Sequence, residues 1–288
     1  MFLTRFTMLP FSNSRPLDFC ASIIWKASSI TTGMNLTAVT KAKTMSRGTL
    51  VHFIICSSSS GDVVTKKTPR SRVSFQYADE SDRKAYPIPK SVHIEGGRQS
   101  DGDRHALLID KDACRLYELY ALYPKPGGGW KAGSGAIWNL TSNALRPVGW
   151  TSADAAGLPI FPGLARYDEA ARGVIDHALR FTASRTRRAY VYPARHYASS
   201  SDDPSLPPMG LRVRLKASVD ISGFPKQTRI VLQALKTYGM ILADNGSSWY
   251  VSGAPNPKWS NDDLHSIGRV TGSDFEVVDT SSLPHPGA

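Results

Sequence analysis

Little in this chain announces a cofactor or a covalent framework. Its 288 residues include only three cysteines, Cys20, Cys56 and Cys114. An odd count without paired spacing gives neither a disulfide framework nor a zinc site. Cys114, in Asp112-Ala113-Cys114-Arg115, reads as a small buried thiol on a strand rather than a nucleophile. No apolar run reaches 18 residues, so no helical membrane span is expected. A P-loop, a GxGxxG turn after a strand, a GxSxG elbow and the kinase set are all missing. Gly96-Gly97 and Gly127-Gly128-Gly129 do not precede helices and cannot cradle phosphate. No histidine pair has HxH or HExxH spacing, so neither a metal nor a cofactor is expected.

Acids are scarce in one region. Up to Arg72 there are two acids against 10 Lys/Arg, with 21 Ser/Thr, and this segment carries +8 of the chain's +11. The remainder is nearly balanced, with 25 basic and 22 acidic residues. The high overall charge is therefore not a clustered nucleic-acid footprint, and no nucleic-acid partner is expected. Residues 1–72 offer too little periodic apolar surface to offset chain entropy and are expected to lack a stable fold of their own. From Met1 the segment has the composition of a transit peptide. From Met45 it has the basic, apolar and small-residue order of a secretory signal. An unrelated stretch placed ahead of a domain beginning near Val73 fits equally, and Thr49–Cys56 also suits a buried strand.

From residue 73 to 279 the chain reads as one β-rich domain, with a disordered tail at 280–288. His105–Asp110 and Arg115–Tyr120 flank a short turn and predict an antiparallel hairpin. Further strands are expected at Val73–Tyr77, His177–Thr182, Ala189–Tyr192, Leu211–Lys216, Met240–Ala243, Trp249–Val251 and Phe275–Val278. One long helix is expected at 225–238, opened by Pro225 and closed by Gly239. Short helical turns are expected at Tyr167–Arg172 and after Ser260. Many short strands with one covering helix predict a mainly β fold, an antiparallel sandwich or distorted barrel.

Three groups of residues carry candidate chemistry. Arg212, Arg214 and Lys216 alternate with Leu211, Val213 and Leu215, and with Arg180 they would form a charged face for substrate carboxylates or sulfates. His105, His177 and His196 each stand beside a charged neighbour, and His196 adjoins the Ser199–Pro208 loop, a plausible pocket rim. Glu95 and Asp244 are the candidate carboxylate pair, although Asp244 also suits its turn. Trp130, Trp138, Trp150, Trp249 and Trp259 are candidates for a sugar-stacking platform.

Ten runs are similar to those of an uncharacterised group of mostly bacterial, exported proteins. They are Tyr77–Asp82, Tyr86–Pro89, Ile94–Gly97, Gly102–His105, Leu116–Tyr120, Gly133–Ile137, Gly149–Gly157, Pro193–His196, Pro208–Gly210 and Ala243–Gly246. The resemblance implies an extracellular location and a compact single domain, but no mechanism. Combined with the residues above, it leads to the expectation of a monomeric enzyme, hydrolase or lyase, acting on polysaccharide. His196 would be the base, with His105, Glu95 and Asp244 beside it and Arg180, Arg212, Arg214 and Lys216 binding substrate. A non-catalytic glycan-binding module and an anion-binding structural protein are the alternatives.

Overall fold

The computed structural model describes residues 50–55 and 61–281. The rest of the leader, with Cys20 and Cys56, and the tail from Leu283 onward lie outside the described residues, as does Ser282. Strands take 27% of the chain and helices 16%, so the molecule is mainly β, with the form of a distorted sandwich or barrel. The strands are β1 (His52–Ile55), β2 (Asp62–Val64), β3 (Arg70–Ser71), β4 (Val73–Phe75), β5 (Tyr86–Pro87), β6 (Ala106–Asp110), β7 (Arg115–Tyr120) and β8 (Tyr123–Pro124). They continue with β9 (Trp130–Ala132), β10 (Ser134–Asn139), β11 (Leu179–Ala183), β12 (Arg212–Leu215), β13 (Met240–Asn245), β14 (Tyr250–Gly253) and β15 (Phe275–Val277). The helices are α1 (Tyr167–Arg172), α2 (Lys226–Thr237) and α3 (Asn261–His265).

Two main sheets carry the architecture. The larger has the order β1-β14-β11-β13-β12-β15, and the smaller β10-β7-β6-β2. The expected hairpin is present as β6 and β7, antiparallel with Ala106 opposite Leu119 and Asp110 opposite Arg115. Most pairings are antiparallel, but β1 with β14, β11 with β13, β2 with β6 and β4 with β9 run parallel. Each parallel pair is joined by the long connections that parallel strands need.

The largest core lies against the six-stranded sheet and gathers Phe181, Val213, Leu242 and Val251 with Val231, Leu232 and Leu235 of α2. That helix matches the 225–238 expectation. Gly239 follows it with φ +73, and a Cβ there would meet the Val213 carbonyl at 2.4 Å. Ser260 caps α3 by accepting from the Asp263 N–H, as its position predicted. A second core fills the other sheet with Leu108, Tyr117 and Leu119. Leu107, Ala153, Ile160, Leu164 and Ala254 join the two halves.

Three expectations need correction. Segment 1–72 contributes β1, β2 and β3 to the fold, so the boundary at 73 is too late. Val51 and Phe53 enter the main core, and Val64 is buried where β2 pairs with β6. The apolar run Val51–Phe53 is thus the buried strand that its composition allowed. Ala189–Tyr192 makes only an isolated bridge, Tyr190 with Met209, because Pro193 has no N–H with which to extend a ladder. Finally, Cys114 is not a free thiol but is disulfide-bonded. In the tail, Thr280 donates its hydroxyl to the Tyr192 carbonyl. Among the described residues no helix is long and apolar enough to cross a membrane.

Candidate functional site

A strip of small residues, Ser152-Ala153-Asp154-Ala155-Ala156-Gly157, crosses from the smaller sheet to the larger and organises a cavity between them. Its start is fixed by the Ser134 hydroxyl on the Ser152 carbonyl. Its end pairs with the larger sheet through the Ala156 N–H and the Ala243 carbonyl at 2.9 Å. Gly157 closes it in a left-handed conformation (φ +68), where a Cβ would lie 2.5 Å from the Trp150 carbonyl, so no other residue fits without movement. Small side chains let the strip lie close to both sheets. Its carbonyls and its one carboxylate are left to hold functional groups.

The cavity, of about 490 Å³, is lined by this strip and by Tyr77, Glu80, Asp103, Tyr120, His196 and Asp244 among others. Each charged or aromatic member is placed by a different element. Tyr120 ends β7, Ser134 begins β10, and Asp244 lies near the end of β13. Asp244 owes its direction to a register slip. Phe181 faces Leu242 but Thr182 faces Asp244, leaving Ala243 as the extra residue. In regular register Asp244 would share the face of Phe181, which is core. The slip moves it to the face of Arg180 and Thr182.

The groups form two sets. Behind the wall, Asp154 binds Arg180 through both oxygens, Oδ1 to Nη2 at 2.7 Å and Oδ2 to Nε at 3.0 Å. Arg180 also donates to the Ser252 hydroxyl at 2.7 Å and lies 3.8 Å from the Asp244 carboxylate. Burial, the neighbouring charge of Asp154 and a hydrogen bond between the two carboxyls hold the Asp244 acid well above its ordinary range, against the pull of Arg180 and His105. Asp244 thus holds its proton to higher pH than an ordinary carboxyl. Next to this set, His105 is buried between the Glu95 carboxylate, 2.5 Å from Nδ1, and the Ala153 carbonyl, 2.9 Å from Nε2. Burial alone would lower the imidazole's proton affinity, but the bond to Glu95 and the charges of Glu95, Asp244 and Asp154 outweigh it and push it up to about 9. Glu95 moves the other way: burial raises it, and His105 pulls it lower still.

Across the cavity stands His196. Its Nδ1 is 2.8 Å from the Ala155 carbonyl, which therefore accepts the Nδ1 proton and leaves Nε2 facing the cavity, 3.7 Å from Glu80. Tyr197 stacks on the ring, with centroids 5.8 Å apart. Glu80 is itself held by the Thr151 N–H at 3.0 Å. An imidazole with Nε2 free of a close protein partner and a carboxyl held above its ordinary range in the same cavity are the two kinds of group that acid–base chemistry needs.

Comparison with protein-family models, curated proteins and solved structures gave no match.

Of the expected site residues, His196 and Asp244 line the cavity, while His105, Glu95 and Arg180 stand directly behind it. His105 cannot serve as a base there, since both ring nitrogens are already engaged. The basic strand is placed elsewhere and does not bind substrate in this cavity. Arg212 is buried and donates Nε to the Tyr238 carbonyl at 3.0 Å, capping the end of α2, and burial lowers its guanidinium to about 10. Arg214 pairs with Glu276 on the adjacent strand, and Lys216 donates to the Ser273 carbonyl at 2.7 Å. Local alternation predicted their shared side but not the groups that cover it. His177 is a core group between Glu169 and the Ala178 carbonyl. Among the described residues no tryptophan lines the cavity: Trp138, Trp249 and Trp259 are buried in the cores, and Trp150 packs against Arg146.

Asp154, Glu80, Tyr77 and Tyr120 were not singled out from sequence. All four lie in the ten runs quoted above, and seven of those ten supply residues that line this cavity. Tyr77 and Glu80, Asp103, Tyr120, Ser134, Thr151–Ala155, His196 and Asp244 come from those seven. Tyr86, from another of the ten, lies in the core, its hydroxyl donating to the Asp82 carbonyl.

Proposed function

We propose that the protein is a polysaccharide hydrolase acting outside the cell, with Asp244 as general acid and His196 as general base. The observation that carries this reading is that Asp244, an acid that burial and Asp154 hold above its ordinary range, lines the same cavity as His196, whose Nδ1 is bound to the Ala155 carbonyl. Asp244 gives its proton to the glycosidic oxygen as the C–O bond breaks. His196 Nε2 takes a proton from the water that adds to the anomeric carbon, and Glu80 steadies the imidazolium that forms. Water is consumed and two hydroxyl ends result. The disulfide at Cys114 fits an oxidising compartment.

Hydrolysis is favoured over elimination from a uronate. Elimination needs a cation against the substrate carboxylate, yet no Lys or Arg is among the described lining residues, which instead include Glu80, Asp103, Asp154 and Asp244. Arg180 is already taken up by Asp154. A neutral glycan suits this wall, with Tyr77 and Tyr120 offering ring faces to its C–H groups. Tyr77 is 45% exposed, and the second reading, a glycan-binding module without turnover, rests on this ring.

Release of reducing ends from a panel of neutral, amino and uronate polysaccharides separates these readings. The hydrolase should cleave a neutral member. Unsaturated products from a uronate would make it a lyase, and binding without product release would make it a module.

A further inference from the structure

The buried pair Glu95 and His105 has no direct access to substrate, and a plain core pair needs no link to the cavity wall. Yet His105 Nε2 reaches the Ala153 carbonyl at 2.9 Å, two residues from the carbonyl that fixes the tautomer of His196 and next to the carboxylate that accompanies Asp244. The two residues are also joined through the backbone, the Glu95 N–H donating to the His105 carbonyl at 2.9 Å. The Tyr120 ring, a cavity wall, lies 5.7 Å from the imidazole. His105 lies two residues from Asp103, which lines the cavity.

Resting on the hydrolase reading above, we propose that His105 is a positioning residue for the acid–base pair. Its imidazolium, clamped between Glu95 and the Ala153 carbonyl, fixes the strip that mounts Asp154 and His196 and supplies positive charge behind Asp244.

The charge count supports the role. Glu95 and His105 cancel, as do Asp154 and Arg180, and the buried set is neutral only while Asp244 holds a proton. The groups facing this set are Glu95, His105, Asp154, Arg180, Asp244 and Tyr120, with Asp103 beside Tyr120 and Glu80 and His196 across the cavity. His105 draws the Asp244 acid down, while burial and Asp154 push it up. Loss of the imidazolium therefore leaves Asp244 a weaker acid, holding its proton to higher pH. Glu95→Gln isolates the charge, because it keeps the ring in place and removes the anion that sustains its proton.

The test is a carbon-13 NMR titration of the Asp244 carboxyl in the full chain and in Glu95→Gln and His105→Gln. Both variants should titrate Asp244 at higher pH than the parent. On a cleaved polysaccharide they should lower kcat about tenfold to a hundredfold with little change in KM, and shift the alkaline limb of the profile upward. An unmoved Asp244 titration in both variants overturns the proposal, whatever their stability. If His105→Gln does not fold, Glu95→Gln alone decides. A moved titration in a protein that cleaves nothing would retain the positioning role and remove the hydrolase reading, so the two fail separately.

Discussion

Asp154 gives both carboxylate oxygens to Arg180, at 2.7 and 3.0 Å, while Asp244, 3.8 Å from the same guanidinium, is the carboxyl that burial and Asp154 hold above its ordinary range. The pair is buried, and such a pair is costly to break from one side. Asp154→Ala should lower stability by about 3–5 kcal/mol, read as the urea midpoint at unchanged m-value. A loss of less than about 1 kcal/mol, the scale of an exposed ion pair, would mean that the pair is solvated and cannot order Asp244.

The His105–Glu95 pair sets a pH window for folding. The imidazole is raised to about 9 from an ordinary 6.5, so its contribution is complete below 6.5 and fades as pH rises through about 9. Glu95 is lowered from 4.5, so its contribution is present above 4.5 and is lost only as pH falls through its lower folded value. Thermal unfolding followed from pH 5 to 10 should show the alkaline decline, and His105→Gln should remove the part of it between 6.5 and about 9. A decline that persists unchanged in the variant would assign it to other groups.

Glu118 acts in a different window. This buried carboxyl on β7 accepts from the N–H groups of Ile160 and Phe161, at 2.9 Å each, and from Trp138 Nε1 at 3.1 Å, pinning the loop whose earlier part lines the cavity. Burial without a cation raises it from 4.5 to about 7 despite these donors. An acid raised on folding favours the folded state below its ordinary value, and this contribution is lost as pH rises through about 7. Glu118→Ala at pH 5 should cost roughly 2–4 kcal/mol, because three buried donors lose their acceptor. Stability equal to the parent would show that the loop is held by packing alone.

Local elements were legible because the signals that define them are local. The β6–β7 hairpin follows from two apolar runs around a short turn, and α2 from Pro225, its apolar stripe and Gly239. The cavity was legible only in part. His196 and Asp244 stood out as residue types near loops, but Asp154 lay within a run of small residues that reads as a loop, and its pairing with Arg180 spans 26 positions. The slip at Phe181/Thr182 that redirects Asp244 has no sequence signature. Arg212 was misread for the complementary reason: strand alternation gives the side of a sheet, and the end of α2 that occupies this side is set by tertiary packing. In segment 1–72 the apolar run at Thr49–Cys56 allowed a strand, but β2 and β3 are too short to stand out from the Ser/Thr-rich, basic composition around them.

Tyr77 tests the glycan contact itself. Its backbone is fixed by the Gly133 carbonyl while the ring stands 45% exposed at the cavity. Tyr77→Ala should raise KM about tenfold, the scale of one lost stacking contact of about 1.4 kcal/mol, with kcat changed much less. Tyr77→Phe should behave as the parent. An equal fall in kcat for Ala and Phe would instead give the hydroxyl a chemical role.

The most direct test of Asp244 as general acid compares leaving groups. In Asp244→Asn, cleavage of the natural glycosidic bond should fall by about 10²–10⁴, since the departing sugar alkoxide must be protonated. Cleavage of an aryl glycoside of the same sugar with a strongly acidic phenol, which departs without a proton, should stay within about tenfold of the parent. Equal losses on both substrates, or none on either, would contradict the account.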